Sequence, residues 1–146
     1  MSTNAVTVLL VEDDEIDAEA IDRAFKRAKI ANPIVNVTDG IEALNTLRGT
    51  EGKEALRRPY VILLDLNMPR MNGIEFLQEL REDESLHDSV VFVLTTSDDD
   101  RDKVAAYKKQ AAGYMIKSKA GEDFMQLIGM LDHYWRVVEL PPRKEH

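Results

Sequence analysis

YVILLD (60–65) runs five apolar residues straight into an aspartate, with no polar residue alternating through the run. A strand that faced water on one side would alternate. One that is apolar throughout is buried on both faces, as in a parallel sheet covered by helices. The same construction recurs upstream, where VTVLLV (6–11) leads into Glu12 and Asp13, and downstream, where VFVL (91–94) leads into Thr95 and Thr96. A shorter run, YMI (114–116), leads into Lys117, and IVNV (34–37) alternates enough to suit a sheet edge. Apolar residues at helical spacing fall between these runs. They are Ile16, Ala20, Ile21, Ala24, Phe25 and Ala28; then Ile41, Leu44 and Leu47; then Ile74, Leu77 and Leu80; then a weak set of Val104, Ala105 and Ala111. The longest set is Phe124, Leu127, Ile128, Leu131, Tyr134, Trp135 and Val138. Five βα units in a row predict an α/β fold, a doubly wound five-stranded parallel sheet with right-handed crossovers. RGTEGKEALRRP (48–59) reads either as a loop or as a continuation of the second helix.

The 146 residues include 27 acidic and 19 basic, a formal charge of 19 − 27 = −8. At about 100–200 residues per domain this is one domain, and a 44% hydrophobic content supports a packed core rather than disorder. Residues 1–138 read as that domain, and 139–146, carrying the helix-stopping Pro141 and Pro142, as a short tail. The lack of cysteine excludes disulfides, thiolate zinc sites and cysteine nucleophiles and suits a cytoplasmic location. Apolar runs of five residues fall far short of the roughly 20 that span a bilayer. The N-terminus lacks the basic start of a signal peptide, so no membrane partner is expected. The negative charge opposes phosphate backbones, so no nucleic acid is expected either.

In a parallel sheet, the residues that follow the strands share the carboxyl edge. Glu12 with Asp13, Asp65, Thr95 with Thr96, and Lys117 therefore converge from four distant segments. Open α/β sheets bind ligands at that edge, at the reversal of strand order, which in the order 2-1-3-4-5 lies between strands one and three. Three converging carboxylates repel one another unless a cation sits among them, and a hard divalent ion with few protein oxygens and several waters is Mg2+. A carboxylate nucleophile, a metal, the Lys117 amine and the Thr95 hydroxyl make an aspartyl-phosphate site. Each residue also has a plainer reading. Glu12, Asp13 and Asp14 can cap the first helix, Asp65 can be a turn residue, Thr95 and Thr96 can cap the fourth helix, and Lys117 can be a surface lysine. Four separate strands all ending in the required chemistry favour the site.

The motifs LLVEDD (9–14), LLDLNMPRMNG (63–73), VLTTS (93–97) and GYMIK (113–117) carry a family resemblance, as do the spacings of 30 residues from Asp65 to Thr95 and 22 from Thr95 to Lys117. Over roughly residues 5–135 the chain resembles the response-regulator receiver domain of two-component signalling. The resemblance implies a flavodoxin-like (βα)5 fold with Asp65 as phosphoacceptor. It implies that Asp13, Asp65 and the Asn67 backbone carbonyl ligate Mg2+, with Glu12 acting through water. Thr95 and Lys117 would hold the phosphoryl oxygens, and Tyr114 would be the switch aromatic that moves with Thr95. The partner it implies is a sensor histidine kinase or a histidine phosphotransfer protein. The chain would then be no enzyme in the ordinary sense, but a phosphoacceptor that catalyses its own phosphorylation and dephosphorylation.

Three positions depart from the family pattern. Ser118 stands where proline is usual, Thr96 is larger than the usual alanine, and the 48–59 connection is long. With VVELPPR (137–143), that connection is similar to a single-domain subgroup that includes phytochrome-associated response regulators, which implies a phytochrome-type kinase. The fifth helix carries Met125, Met130, Tyr134, Trp135, Val137 and Val138 beyond its core stripe, more than one face can bury, and so predicts a homodimer through residues 98–142. Two further readings are a pseudo-receiver that is not switched by phosphorylation and a phosphatase with an aspartyl-phosphate intermediate. Against the second, Asn67 stands where such a phosphatase places an acid, and the nucleophile is on the third strand.

Overall fold

The three continuous apolar runs become the three inner strands, because only those positions are covered on both faces. The computed structural model describes residues 6–27, 29–68, 70–95, 99–116 and 133. In chain order the elements are β1 (Thr7–Val11), α1 (Glu15–Arg27), β2 (Ile34–Val37), α2 (Gly40–Arg48), β3 (Tyr60–Leu64), α3 (Gly73–Glu82), β4 (Val91–Thr95), α4 (Asp100–Lys108) and β5 (Gly113–Ile116). All the pairings are parallel, in the order β2-β1-β3-β4-β5. The register aligns Val11 with both Val37 and Leu64, Leu64 with Val93, and Thr95 with Ile116, so the strands end level at one edge. The alternating, partly exposed β2 is at the edge, as its sequence predicts.

Successive side chains of each strand point to opposite faces, so each strand feeds two core layers. Leu9, Val11, Ile62 and Leu64 pack with Leu44, Leu47, Phe76, Leu77 and Leu80 of α2 and α3. Val8, Leu10, Val61 and Leu63 pack with Ile21, Ala24 and Phe25 of α1. Each fully buried Phe or Leu contributes about 1.5–3 kcal/mol relative to exposure. Among the described residues, no helix is long and apolar enough to cross a membrane.

Three expected core residues are exposed instead. Ile16 is 74% exposed, because nine residues at about 100° each put it opposite the buried Phe25 on α1. Val104 is 53% exposed; the wholly buried Ala106, two residues on and nearly opposite, with Ala111 beyond the helix, takes the place given to Val104. Ile41, in the first turn of α2, is also exposed. The 48–59 segment is a loop. α2 stops at Gly49, whose φ of 75° is left-handed and whose amide donates to the Asn45 carbonyl at 2.8 Å. The expected fifth helix, the 98–142 surface and the boundary at residue 138 lie largely or wholly outside the described residues.

Candidate functional site

β1 delivers Glu12 and Asp13 to the carboxyl edge, and hydrogen bonds from both neighbouring strands fix where they arrive. The Glu12 amide donates to the Val37 carbonyl at 2.9 Å, and the Asp65 amide donates to the Val11 carbonyl at 3.0 Å. Asn36, on edge strand β2, turns its side-chain amide onto the carbonyls of Leu10, Glu12 and Val37 at 3.0, 3.3 and 3.2 Å. The outcome is a cluster of carboxylate oxygens from Glu12, Asp13 and Asp65 within 4.8 Å of one another. It sits between β1 and β3, where the strand order reverses.

Glu12 is 2% and Asp65 7% exposed, while Asp13 is open to solvent. Two full charges about 5 Å apart repel by about 3 kcal/mol at an effective dielectric of 20, and by less at Asp13, which water screens. Three oxygen donors without nitrogen or sulfur, one side open to water, fit a hard divalent cation that keeps several waters. Helix capping does not occupy these acids. Asp14 takes that role, its Oδ1 accepting from the amides of Ile16 and Asp17 at 2.9 and 3.1 Å. Its own amide donates to Glu12 Oε2 at 3.1 Å.

The segment after Asp65 is a tight loop. The Asn67 amide donates to Asp65 Oδ1 at 3.2 Å, and the Gly73 amide donates to the Leu66 carbonyl at 2.9 Å. A Cβ on Gly73 would lie 2.6 Å from Leu66 Cα and 2.7 Å from the Asp65 carbonyl oxygen, so this closure requires glycine. Asn72 and Glu75 then start α3 with a reciprocal capping box.

Thr95 ends β4 wholly buried, one strand beyond Asp65, and half-buried Tyr114 lies opposite Val93 on β5. The α4 cap is Asp99 rather than Thr95; Asp99 accepts from the Arg101 amide at 2.8 Å. The Arg101 side-chain hydrogen bond holds the Asp99 carboxyl below its ordinary range. The structure thus brings Glu12, Asp13 and Asp65 together and places Thr95 and Tyr114 on the next two strands. Lys117, with Ser118, Pro69, Thr96 and Ser97, lies outside the described residues. Sequence reasoning missed Asn36, Asp39 and Arg70 around the site. Of these, only Asp39 carried a signal, an aspartate standing just before the apolar stripe of α2, where an N-cap belongs.

A parallel sheet of this order with an acidic cluster at its switch point defines a receiver-type α/β domain. The model of the response regulator receiver domain matches residues 8–129, and the chain belongs to that family. It is 33% identical over 135 residues to Response regulator Rcp1 of Synechocystis sp., spanning 92% of each chain. Its structure is similar to that of a phosphorylated cyanobacterial phytochrome response regulator, RcpA, with a TM-score of 0.83 at 32% identity, covering 93% of this chain and 98% of that one. The Mn2+-bound form of Rcp1 gives a TM-score of 0.82 at 32% identity, covering 93% and 99%.

Proposed function

We propose that the chain is a response regulator receiver that accepts a phosphoryl group on Asp65 and signals through altered protein contacts. The observation that carries this reading is the set of three carboxylates within 4.8 Å at the switch point of the sheet. Asp13, Asp65 and the Asn67 carbonyl would hold Mg2+, with Glu12 acting through water; the Mn2+-bound form of the relative Rcp1 supports a divalent ion. Bound there, the ion supplies positive charge against the phosphoryl oxygens. An Asp65 oxygen attacks the phosphorus of a phosphohistidine. The O–P bond forms, the P–N bond breaks, and its electron pair stays on the imidazole nitrogen, which takes up a proton. The Thr95 hydroxyl and the Lys117 ammonium donate to the transferred group. Water attack on the same phosphorus later returns Asp65 to its carboxylate.

Phosphorylation adds about −1.5 to −2 charge and three acceptor oxygens. That charge draws Thr95 toward Asp65, and Tyr114, on the adjoining strand, follows. Output then runs through residues 98–142, as a homodimer. The donor is a sensor histidine kinase or a histidine phosphotransfer protein. RcpA, described as a phytochrome response regulator, supports a phytochrome-type kinase. We place the protein in the cytoplasm, with no nucleic acid or membrane partner.

Incubation with Mg2+ and a small phosphodonor tests the reading. One acid-stable, base-labile phosphoryl group per chain is expected. Repeated turnover would indicate a phosphatase, and no adduct a pseudo-receiver. Sedimentation of the full chain against one truncated after Asp132 tests the dimer, which only the full chain should form.

A further inference from the structure

The connection between β2 and α2 belongs to the edge of the sheet, yet it grips the loop that follows Asp65. Arg70 places Nε 2.7 Å and a terminal guanidinium nitrogen 2.6 Å from Asp39 Oδ2. Asp39 is only 4% exposed, and its other oxygen accepts from the Glu42 amide at 2.8 Å as the N-cap of α2. Beside this pair the Gly40 amide donates to the Met71 carbonyl at 3.2 Å, and a Cβ on Gly40 would lie 2.7 Å from Met71 Cγ. Arg70 itself has φ 61°, a left-handed conformation that a side chain with a Cβ adopts only where its surroundings enforce it. The described residues of this loop are therefore tied in two places, at Gly73 onto Leu66 and at Arg70 and Met71 onto Asp39 and Gly40.

An exposed ion pair contributes little to stability. This one differs in that its carboxylate is buried and fixed by the helix it caps, so it offers Arg70 a rigid anchor. We infer that the Arg70–Asp39 ion pair is a positioning device that holds the 65–73 loop, and with it the Asn67 carbonyl, where a divalent cation at Asp13 and Asp65 can be ligated. This rests on the function proposed above. Neither Arg70 nor Asp39 belongs to the Glu12, Asp13 and Asp65 cluster, so both would act through the loop rather than as ligands. Mg2+ demands near-ideal octahedral geometry at about 2.0–2.1 Å, so a small displacement of one oxygen weakens binding. Loss of comparable supporting contacts in metal sites lowers affinity about 10–100-fold.

The test is Mg2+ titration of the full-length protein, followed by backbone amide NMR shifts, with folding checked by circular dichroism. Asp39→Asn keeps a capping oxygen and removes the charge. Arg70→Gly allows the positive φ freely and removes the side chain. Each is expected to weaken Mg2+ about tenfold while the Mg2+-free denaturation midpoint of Asp39→Asn stays near wild type. Arg70→Lys should recover part of the loss, and the double variant Arg70→Gly with Asp39→Asn should bind no more weakly than the worse single one. Wild-type affinity in either Arg70→Gly or Asp39→Asn overturns the pairing and leaves the proposed site standing. If wild type binds Mg2+ no better than Asp65→Asn, the site reading falls and the pairing with it.

Discussion

Gly73→Ala is the most informative single-methyl change in this fold. The new Cβ would lie 2.6 Å from Leu66 Cα, 2.7 Å from the Asp65 carbonyl oxygen and 2.7 Å from Leu66 Cδ2. Comfortable carbon–carbon contact is about 3.5–4.0 Å, so the overlap is about 1 Å. Two of the three atoms are backbone and cannot rotate away. Forced overpacking costs about 1–3 kcal/mol. Replacing a helical glycine returns at most about 1 kcal/mol, and less here, because Gly73 is the first residue of α3. A net loss of about 2 kcal/mol would lower Tm by about 4–8 °C in a domain of this size. The strain also falls on Asp65 itself, so Mg2+ affinity should drop with stability. Urea denaturation and Mg2+ titration of the same sample read both effects. Gly52→Ala is the control, because Gly52 has φ 80° with nothing within 4 Å of its would-be Cβ. It should lose about 1–2 kcal/mol through backbone strain alone and keep its Mg2+ affinity. A wild-type urea midpoint for Gly73→Ala, or equal loss of Mg2+ affinity in both variants, would refute the reasoning.

Asp13→Ala should weaken Mg2+ more than Glu12→Ala, because a direct ligand matters more than one acting through water; calorimetric titration reads both, and equal effects would contradict those roles. Arg81 donates to the carbonyls of His87, Ser89, Lys109 and Gln110 at 2.7–2.9 Å, tying α3 to two loops at the amino edge of the sheet. Arg81→Met should therefore cost about 3 kcal/mol by urea denaturation with little change in Mg2+ affinity. Burial pushes the Tyr60 phenol above its ordinary 10.0, against the Ser89 hydrogen bond and the Arg58 charge, which pull it down. The unfolded chain then loses that proton first, so stability falls as pH rises above about 10, and Tyr60→Phe should flatten that limb of the stability curve.

What was legible in the sequence follows from range. β1, β3 and β4 were readable because burial on both faces leaves an unbroken apolar run, and the acids after β1 and β3 were readable as one cluster because a parallel sheet aligns strand ends. The Glu12-Asp13-Asp14 run was ambiguous because capping and metal binding both favour acids; the structure separates them, with Asp14 at the helix and the other two in the cluster. Ile16 and Val104 misled because a helical stripe can be counted along a segment without fixing which face meets the sheet. The pairing of Arg70 with Asp39, 31 residues apart, and that of Arg81 with its four carbonyls left no trace, since polar contacts between loops have no period. Gly49, by contrast, is an ordinary helix-ending signal, and given its weight it would have settled the 48–59 segment as a loop.

The central claim is that Asp65 takes the phosphoryl group. The direct measurement is transfer from a phosphorylated histidine kinase domain to this protein in Mg2+, with the modified residue located by peptide mapping. Asp65→Asn, nearly isosteric, serves as the matched control. Wild type should gain one phosphoryl group, at Asp65, as the kinase loses its own, and Asp65→Asn should gain none while retaining its native circular dichroism. Equal labelling of Asp65→Asn, or labelling of wild type at another residue, would contradict the account.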